Sequence, residues 1–251
     1  MFVAASNDCF HDLSFDECVE KLVDLEFSSI DLTLDDHGNH ITASEVAEDI
    51  EKAITRCTST RRLSIAGYNL VIDKSGDEYL NVFEACCKLA KATKVVTLTV
   101  ESGEHGTPFN EEVERFKSLV KIGERYGVRV GMRSKAGHLS ADPDTVSVIC
   151  GHVKGLGLSL DPSHYIFGQE RESNYEKLLE YIQSVYLRDS TKDQLQVRVG
   201  QGVIDYGKLI NLLQKQGYDR ALVVDIRRQE DVDHMGEMRK MRLLLESLLL
   251  I

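Results

Sequence analysis

Tryptophan is absent from the 251-residue chain, proline occurs three times, and none of the six cysteines falls in a C-x-x-C pair. Each shortage excludes something. Without tryptophan there is no indole to stack under a sugar ring, which leaves Tyr68, Tyr165, Phe167 and Tyr186 as the aromatic candidates near strand ends. Pro108, Pro143 and Pro162 lie far apart and no Pro/Gly/Ser-rich stretch divides the sequence, so residues 1–251 are expected to form one domain. The spacing of Cys9, Cys18, Cys57, Cys86, Cys87 and Cys150 suits reduced thiols rather than a zinc site or a disulfide framework. No basic segment followed by a long apolar one opens the chain, and no apolar run approaches membrane length. A soluble cytoplasmic protein is therefore expected. With 30 Lys+Arg against 41 Asp+Glu the formal net charge is −11, which opposes nucleic acid or an acidic membrane as a partner.

What the sequence has is repetition. Apolar, β-branched runs at Phe2–Ala5, Ser29–Leu34, Arg62–Ala66, Lys94–Val100, Val128–Met132, Leu156–Leu160, Ser184–Leu187 and Ala221–Val224 read as strands. They recur at intervals of roughly 30 residues, about one βα unit each. Several look apolar on both faces, as parallel strands covered by helices do. Between them, Leu80, Phe83, Cys87 and Ala90 form one helical stripe, and Val113, Phe116 and Val120 another, closed by Gly127. Asp205 is placed to cap a helix carrying Leu209, Ile210 and Leu213, with Gly217 behind it, and a last helix starts near Asp233. Eight units favour a closed (β/α)8 barrel over an open doubly wound sheet, and no G-x-G-x-x-G follows the first strand to argue for a dinucleotide site.

In such a barrel the chemistry sits where the strands end. Val100 runs into Glu101, Leu160 into Asp161, Leu187-Arg188 into Asp189, and Val224 into Asp225. Converging carboxylates suit cation binding or proton transfer, and equally suit helix caps or partners for arginine. The segment Leu156-Gly-Leu-Ser-Leu-Asp161-Pro-Ser-His164-Tyr165 is the most specific, because one turn after the strand returns an imidazole beside the carboxylate. Gly200-Gln-Gly202 reads as a tight turn, His105 as a solvated loop residue, and Cys9 lacks a partner for nucleophilic work.

Over Gly155–His164, Tyr186–Ser190, Gly200–Gly207 and Gly217–Asp225 the chain resembles the xylose-isomerase-like TIM barrels, a family of sugar isomerases, sugar epimerases and related endonucleases. The resemblance implies a (β/α)8 fold and a divalent metal (Mn, Mg, Co or Zn). It also implies four ligands: a Glu on the fifth strand, an Asp on the sixth, a His on the seventh and a Glu on the eighth. In the family the two Glu also serve as acid and base. Asp161 matches the sixth-strand ligand and His164 the substrate-facing histidine. Arg133 stands where the first Glu is expected, Tyr186 where the His is expected with Asp189 retained after it, and Asp225 replaces the last Glu. Arginine offers only donors and keeps its proton, so the metal is expected to be absent or weakly held. If any binds, Asp161 and Asp225 are its ligands.

Two functions follow as expectations. One is a sugar or sugar-phosphate isomerase/epimerase in carbohydrate metabolism, working by proton transfer next to a carbonyl, with Asp161, His164 and Asp225 as catalytic groups. Arg133, Lys135, Tyr186, Arg188, Asp189, Arg198 and Glu101 would then contact substrate. The other is a non-catalytic barrel that binds an anionic metabolite or a protein. Arg133, Lys135, Arg188, Lys192, Arg198, Arg227 and Arg228 follow the fifth, seventh and eighth strands, either to hold an anion or to neutralise Asp161, Asp189 and Asp225. A nuclease is disfavoured by the net charge and by eight scattered histidines.

Overall fold

The computed structural model describes residues 1–168 and 175–250. Eight parallel strands close into a barrel in sequence order. These are β1 (Phe2–Ser6), β2 (Ser29–Asp35), β3 (Ser64–Val71), β4 (Thr97–Glu101), β5 (Arg129–Arg133), β6 (Leu156–Leu160), β7 (Ile182–Leu187) and β8 (Ala221–Val224). The ring closes where Phe2 to Ala5 pair with Ala221 to Val224. Around it run α1 (Phe15–Asp24), α2 (Ala43–Glu48), α3 (Ile50–Thr58), α4 (Gly76–Ala92), α5 (Phe109–Tyr126), α6 (Pro143–His152), the single turn α7 (Ser163–Ile166), α8 (Tyr206–Lys215) and α9 (His234–Leu249). The (β/α)8 architecture expected from the periodicity is the one observed.

The caps explain where several helices begin and end. Asp205 accepts from the Lys208 amide, Asp142 accepts from Asp144 and Thr145 with Pro143 in the first turn, and Asp233 accepts from Gly236. Gly127 ends α5 at φ 71°, a left-handed conformation that costs glycine little.

Two strands depart furthest from the sequence reading, the others shifting by no more than two residues at an end. The third strand was expected over Arg62–Ala66 but runs Ser64–Val71, pairing along the whole of β2 beyond a bulge at Ile30/Asp31. Gly67 and Asn69 look like strand breakers, yet a Cβ on Gly67 would lie 2.6 Å from Asp31 Oδ2, so glycine is what lets this carboxylate fit. The fourth strand was expected from Lys94 but starts at Thr97. Lys94 is left-handed (φ 61°) and Val95 donates back to the Ala90 carbonyl at 2.8 Å, so this stretch closes α4 instead.

Burial separates two layers. Alternate strand residues such as Ile30, Leu32, Leu98, Val100, Leu158, Leu160, Leu222 and Val224 join helix residues such as Leu22, Phe83, Phe116, Ile149, Leu213 and Met241 in one apolar cluster. A much smaller cluster, Ala4, Tyr186, Ala221 and Val223 with Ala66 against it, lies apart. Beside Tyr186, hydroxyls meet across the barrel: Thr99 Oγ1 is 2.8 Å from Ser159 Oγ, and Ser184 Oγ donates to Ser159 Oγ at 2.7 Å. Such barrels are commonly filled by Val, Ile and Leu; this one is filled largely by small and polar side chains.

Candidate active site

At the carboxyl ends of the strands, four charged side chains close a ring. Arg133, from the end of β5, donates through Nη2 to Asp225 Oδ2 at 2.7 Å and to Asp161 Oδ2 at 3.3 Å. Arg188, just past β7, donates through Nη2 to the same atoms at 2.6 and 2.9 Å. Both arginines and both aspartates are buried, with Asp161 inaccessible and Arg133 8% exposed. Two positive and two negative charges therefore balance in a place where either pair alone would carry a heavy desolvation penalty.

The balance sets the proton affinities. Burial alone would raise Asp161, but Arg188, His164 and Arg133 together outweigh it and hold its carboxyl below the ordinary range. Burial likewise opposes ionisation of Asp225, and Arg188, Arg133 and Arg227 override it by a wide margin. Arg133 is pushed down by burial and up by more, through Asp225, Tyr186 and Asp161, so it stays charged. Asp161 Oδ1 is also fixed, by the hydroxyl of Ser163 and by its amide at 3.2 Å.

The other expected residues take up distinct positions. Tyr186 lies under Arg133, whose guanidinium carbon is 3.6 Å from the ring centroid, a cation–π contact. Its hydroxyl points away from the ring of charges, donating to Asp31 Oδ1 at 3.0 Å and reaching Thr99 Oγ1 at 3.3 Å. His164 Nδ1 accepts from the Ala136 amide at 3.1 Å, which leaves the proton on Nε2, 3.6 Å from Asp161 Oδ2. Burial lowers its pKa, partly offset by Asp161, so the imidazole is neutral near pH 7. Lys135 and Glu101 pair with each other at 2.6 Å on the rim. Asp189 turns aside, its carboxylate accepting the amides of Ser190, Gly200 and Gly202. This clasps the Gly200–Gly202 turn and leaves no room for a Cβ on Gly202. Arg198 is exposed and donates to the Asp231 carbonyl. Arg227 pairs with Asp8 at 2.8 Å and Arg228 with Asp12 at 3.4 Å, so among the described residues the rim cations have carboxylate or carbonyl partners apart from exposed Lys192.

Asp31 is the residue that sequence reasoning missed. It is 2% exposed on β2, and burial raises its pKa to about 7 against the opposing pull of the Tyr186 hydrogen bond and Arg133. The signal was present in Ser29-Ile-Asp31-Leu-Thr33-Leu, where polar and apolar residues alternate with the period of a strand that has one polar face.

Two hollows border this end. A polar one of about 130 Å³ is lined by Asn7, Asp8, Thr33, His40 and Arg227 over β1 and β2. A larger cleft of about 680 Å³ lies between the starts of α4 and α5 and reaches the strand ends through Glu101. The converging groups Arg133, Asp161, Arg188 and Asp225 lie at the strand ends and line neither hollow.

The metal implied by the sequence resemblance can be tested against this donor set. Of the four positions, Asp161 and Asp225 have each committed Oδ2 to two guanidinium groups. Arg133 can only donate, and the Tyr186 hydroxyl is turned to Asp31. Among the described residues, no group of three or more His, Cys, Asp or Glu is placed to hold a metal ion. The residues present do not fit a divalent cation.

No curated protein matches the chain. Solved structures do, at low identity. A xylose isomerase-like TIM barrel protein from Mycobacterium smegmatis, in complex with magnesium, has a TM-score of 0.77 at 13% identity, covering 98% of this chain and 96% of that one. A xylose isomerase domain protein from Alicyclobacillus acidocaldarius also reaches 0.77, at 15% identity, with 100% and 98% covered. A 3-keto-D-glucoside 4-epimerase from E. coli reaches 0.74 at 14% identity, with 98% and 99% covered. At this identity the likeness concerns the fold. The sequence model of the xylose isomerase-like TIM barrels matches residues 19–247, and the chain belongs to that family.

Proposed function

We propose that this chain is a metal-independent sugar-binding barrel, seating a small sugar, sugar acid or sugar phosphate at its C-terminal mouth without the proton transfer of the sugar isomerases and epimerases. One observation carries the reading: Arg133 and Arg188 each bridge both Asp161 and Asp225. Carboxylates held toward the ionised form are weak bases, poorly matched to taking a carbon-bound proton near pH 7. The arginines nevertheless keep donors to spare. Among the described residues only Nη2 of each makes a hydrogen bond, and Arg188 Nε and Asp225 Oδ1 are buried without partners. A centre offering both donors and acceptors suits a polyhydroxylated ligand, and the planar guanidinium groups suit a carboxylate or phosphate on it. Several barrels of the same fold are sugar epimerases by name, which supports the ligand class.

The test is a thermal-shift titration of chelator-treated protein with D-fructose, gluconate and fructose 6-phosphate, followed by NMR in D2O with whichever stabilises. Stabilisation by at least one, with no deuterium entering its C–H positions, is expected. No stabilisation by any of the three overturns the reading. Deuterium uptake would favour the second reading, a metal-free isomerase or epimerase, for which neutral His164 beside Asp161 is the favouring observation.

A further inference from the structure

We infer that the Arg133 guanidinium is the resident cation of this barrel, and that side chain 133 is what closes the centre to divalent ions. The inference rests on the metal-independent reading above and adds the residue responsible. Arg133 reaches every other position of the four-strand constellation: Asp161 after β6, the Tyr186 ring on β7 and Asp225 after β8. A divalent ion bound there would have to touch the same groups. The guanidinium is buried, stays charged, and lies between two carboxylate oxygens, as an ion held by them would. Arg188 adds a second positive charge to the same two oxygens and brings the centre to neutrality.

The charge arithmetic makes the consequence specific. With Arg133 shortened, Asp161 and Asp225 share only Arg188, leaving one buried negative charge in excess and a space of guanidinium size. Such a site draws in a small cation from solution. With Arg133→Glu, Tyr186→His and Arg188→Met, oxygen and nitrogen donors from four strands would border that space. Carboxylates and imidazole are ligands that Mn2+ accepts. Tyr186→His also removes the hydroxyl that serves Asp31, so the conversion carries a stability cost, and Arg133→Ala is the gentler probe.

The experiment compares three chelator-treated proteins: the unaltered chain, R133A, and R133E/Y186H/R188M. Each is dialysed against Mn2+, its bound metal is counted, and its melting temperature is followed with Mn2+ or methylguanidinium at millimolar concentration. The unaltered chain is expected to retain no stoichiometric Mn2+ and to show no shift. R133A is expected to be stabilised, or to fold at all, only with an added cation. The triple variant is expected to retain stoichiometric Mn2+ at least about tenfold more tightly than R133A. Stoichiometric Mn2+ on the unaltered chain would overturn the metal-independent reading itself. A metal-free unaltered chain, with an R133A that is indifferent to both cations, would overturn this inference alone, whether or not the triple variant folds.

Discussion

The layer between sheet and helices and the space enclosed by the sheet are both buried, yet they are filled by opposite means. Outside the strands, Leu, Ile, Val and Phe side chains from both partners form one continuous apolar cluster. Inside, alanines, three hydroxyls, a tyrosine and, at the upper end, two arginines with three aspartates occupy the space. The outer layer draws its stability from the removal of apolar area from water and tolerates repacking of similar volume. The inner one depends on each polar atom finding its partner, so the loss of one group exposes the cost of another.

That contrast is open to attack by mutation. Removing one cation of the charged ring should do most harm: Arg188→Met is expected to cost about 3–5 kcal/mol in denaturant unfolding. The double variant R188M/D225N should lose clearly less than the sum of its parts, because each change removes the other's unpaired charge. In the outer layer, inaccessible Leu158 shortened to Ala should cost about 3 kcal/mol. That loss should simply add to the loss at Arg188, and coupling between the two would break the separation of layers. Tyr186→Phe, which strips the hydroxyl from Asp31, should cost about 1–2 kcal/mol.

The smallest effect concerns pH. Burial raises Asp31 in the folded chain to about 7, above its unfolded value, so the folded state binds more protons between the two. Stability carried by this group is therefore lost as pH climbs from the ordinary carboxylate range to about 7, and is constant above it. Asp161 and Asp225, held low, act in the opposite sense at acid pH. The difference between the unaltered chain and D31N, measured by unfolding at a series of pH values, isolates the Asp31 part. An unchanged difference from pH 4 to 8 would remove Asp31 from the titrating groups.

The ring could be foreseen in part. Sequential strands in a barrel place their ends around one mouth, so residues at or just after the ends of the fifth, sixth, seventh and eighth runs had to be neighbours. Arg133, Asp161, Tyr186 and Asp225 do converge. What alternation and spacing could not supply is the direction of each side chain. Arg188 turns into the ring while its neighbour Asp189 turns to the backbone of the next loop, and Lys135 spends its charge on Glu101. Asp31 stayed hidden for a related reason. Several strands read as apolar on both faces, and only the observed hydrogen bonds show that Asp31 and Thr99 face a common interior through Tyr186.

The hydrogen bond from Tyr186 to Asp31 joins residues 155 positions apart, and that distance has a consequence for how the molecule is made. On a ribosome Asp31 emerges on the order of 10–30 s before its partner. Through that interval no tyrosine hydroxyl from β7 can meet it, and water is the better host for an ionised carboxylate. The nascent β1–β4 half therefore has reason to keep its inner face open to water. Closure waits for the late strands, which bring their own balanced charges and the hydroxyl that lets Asp31 leave the solvent.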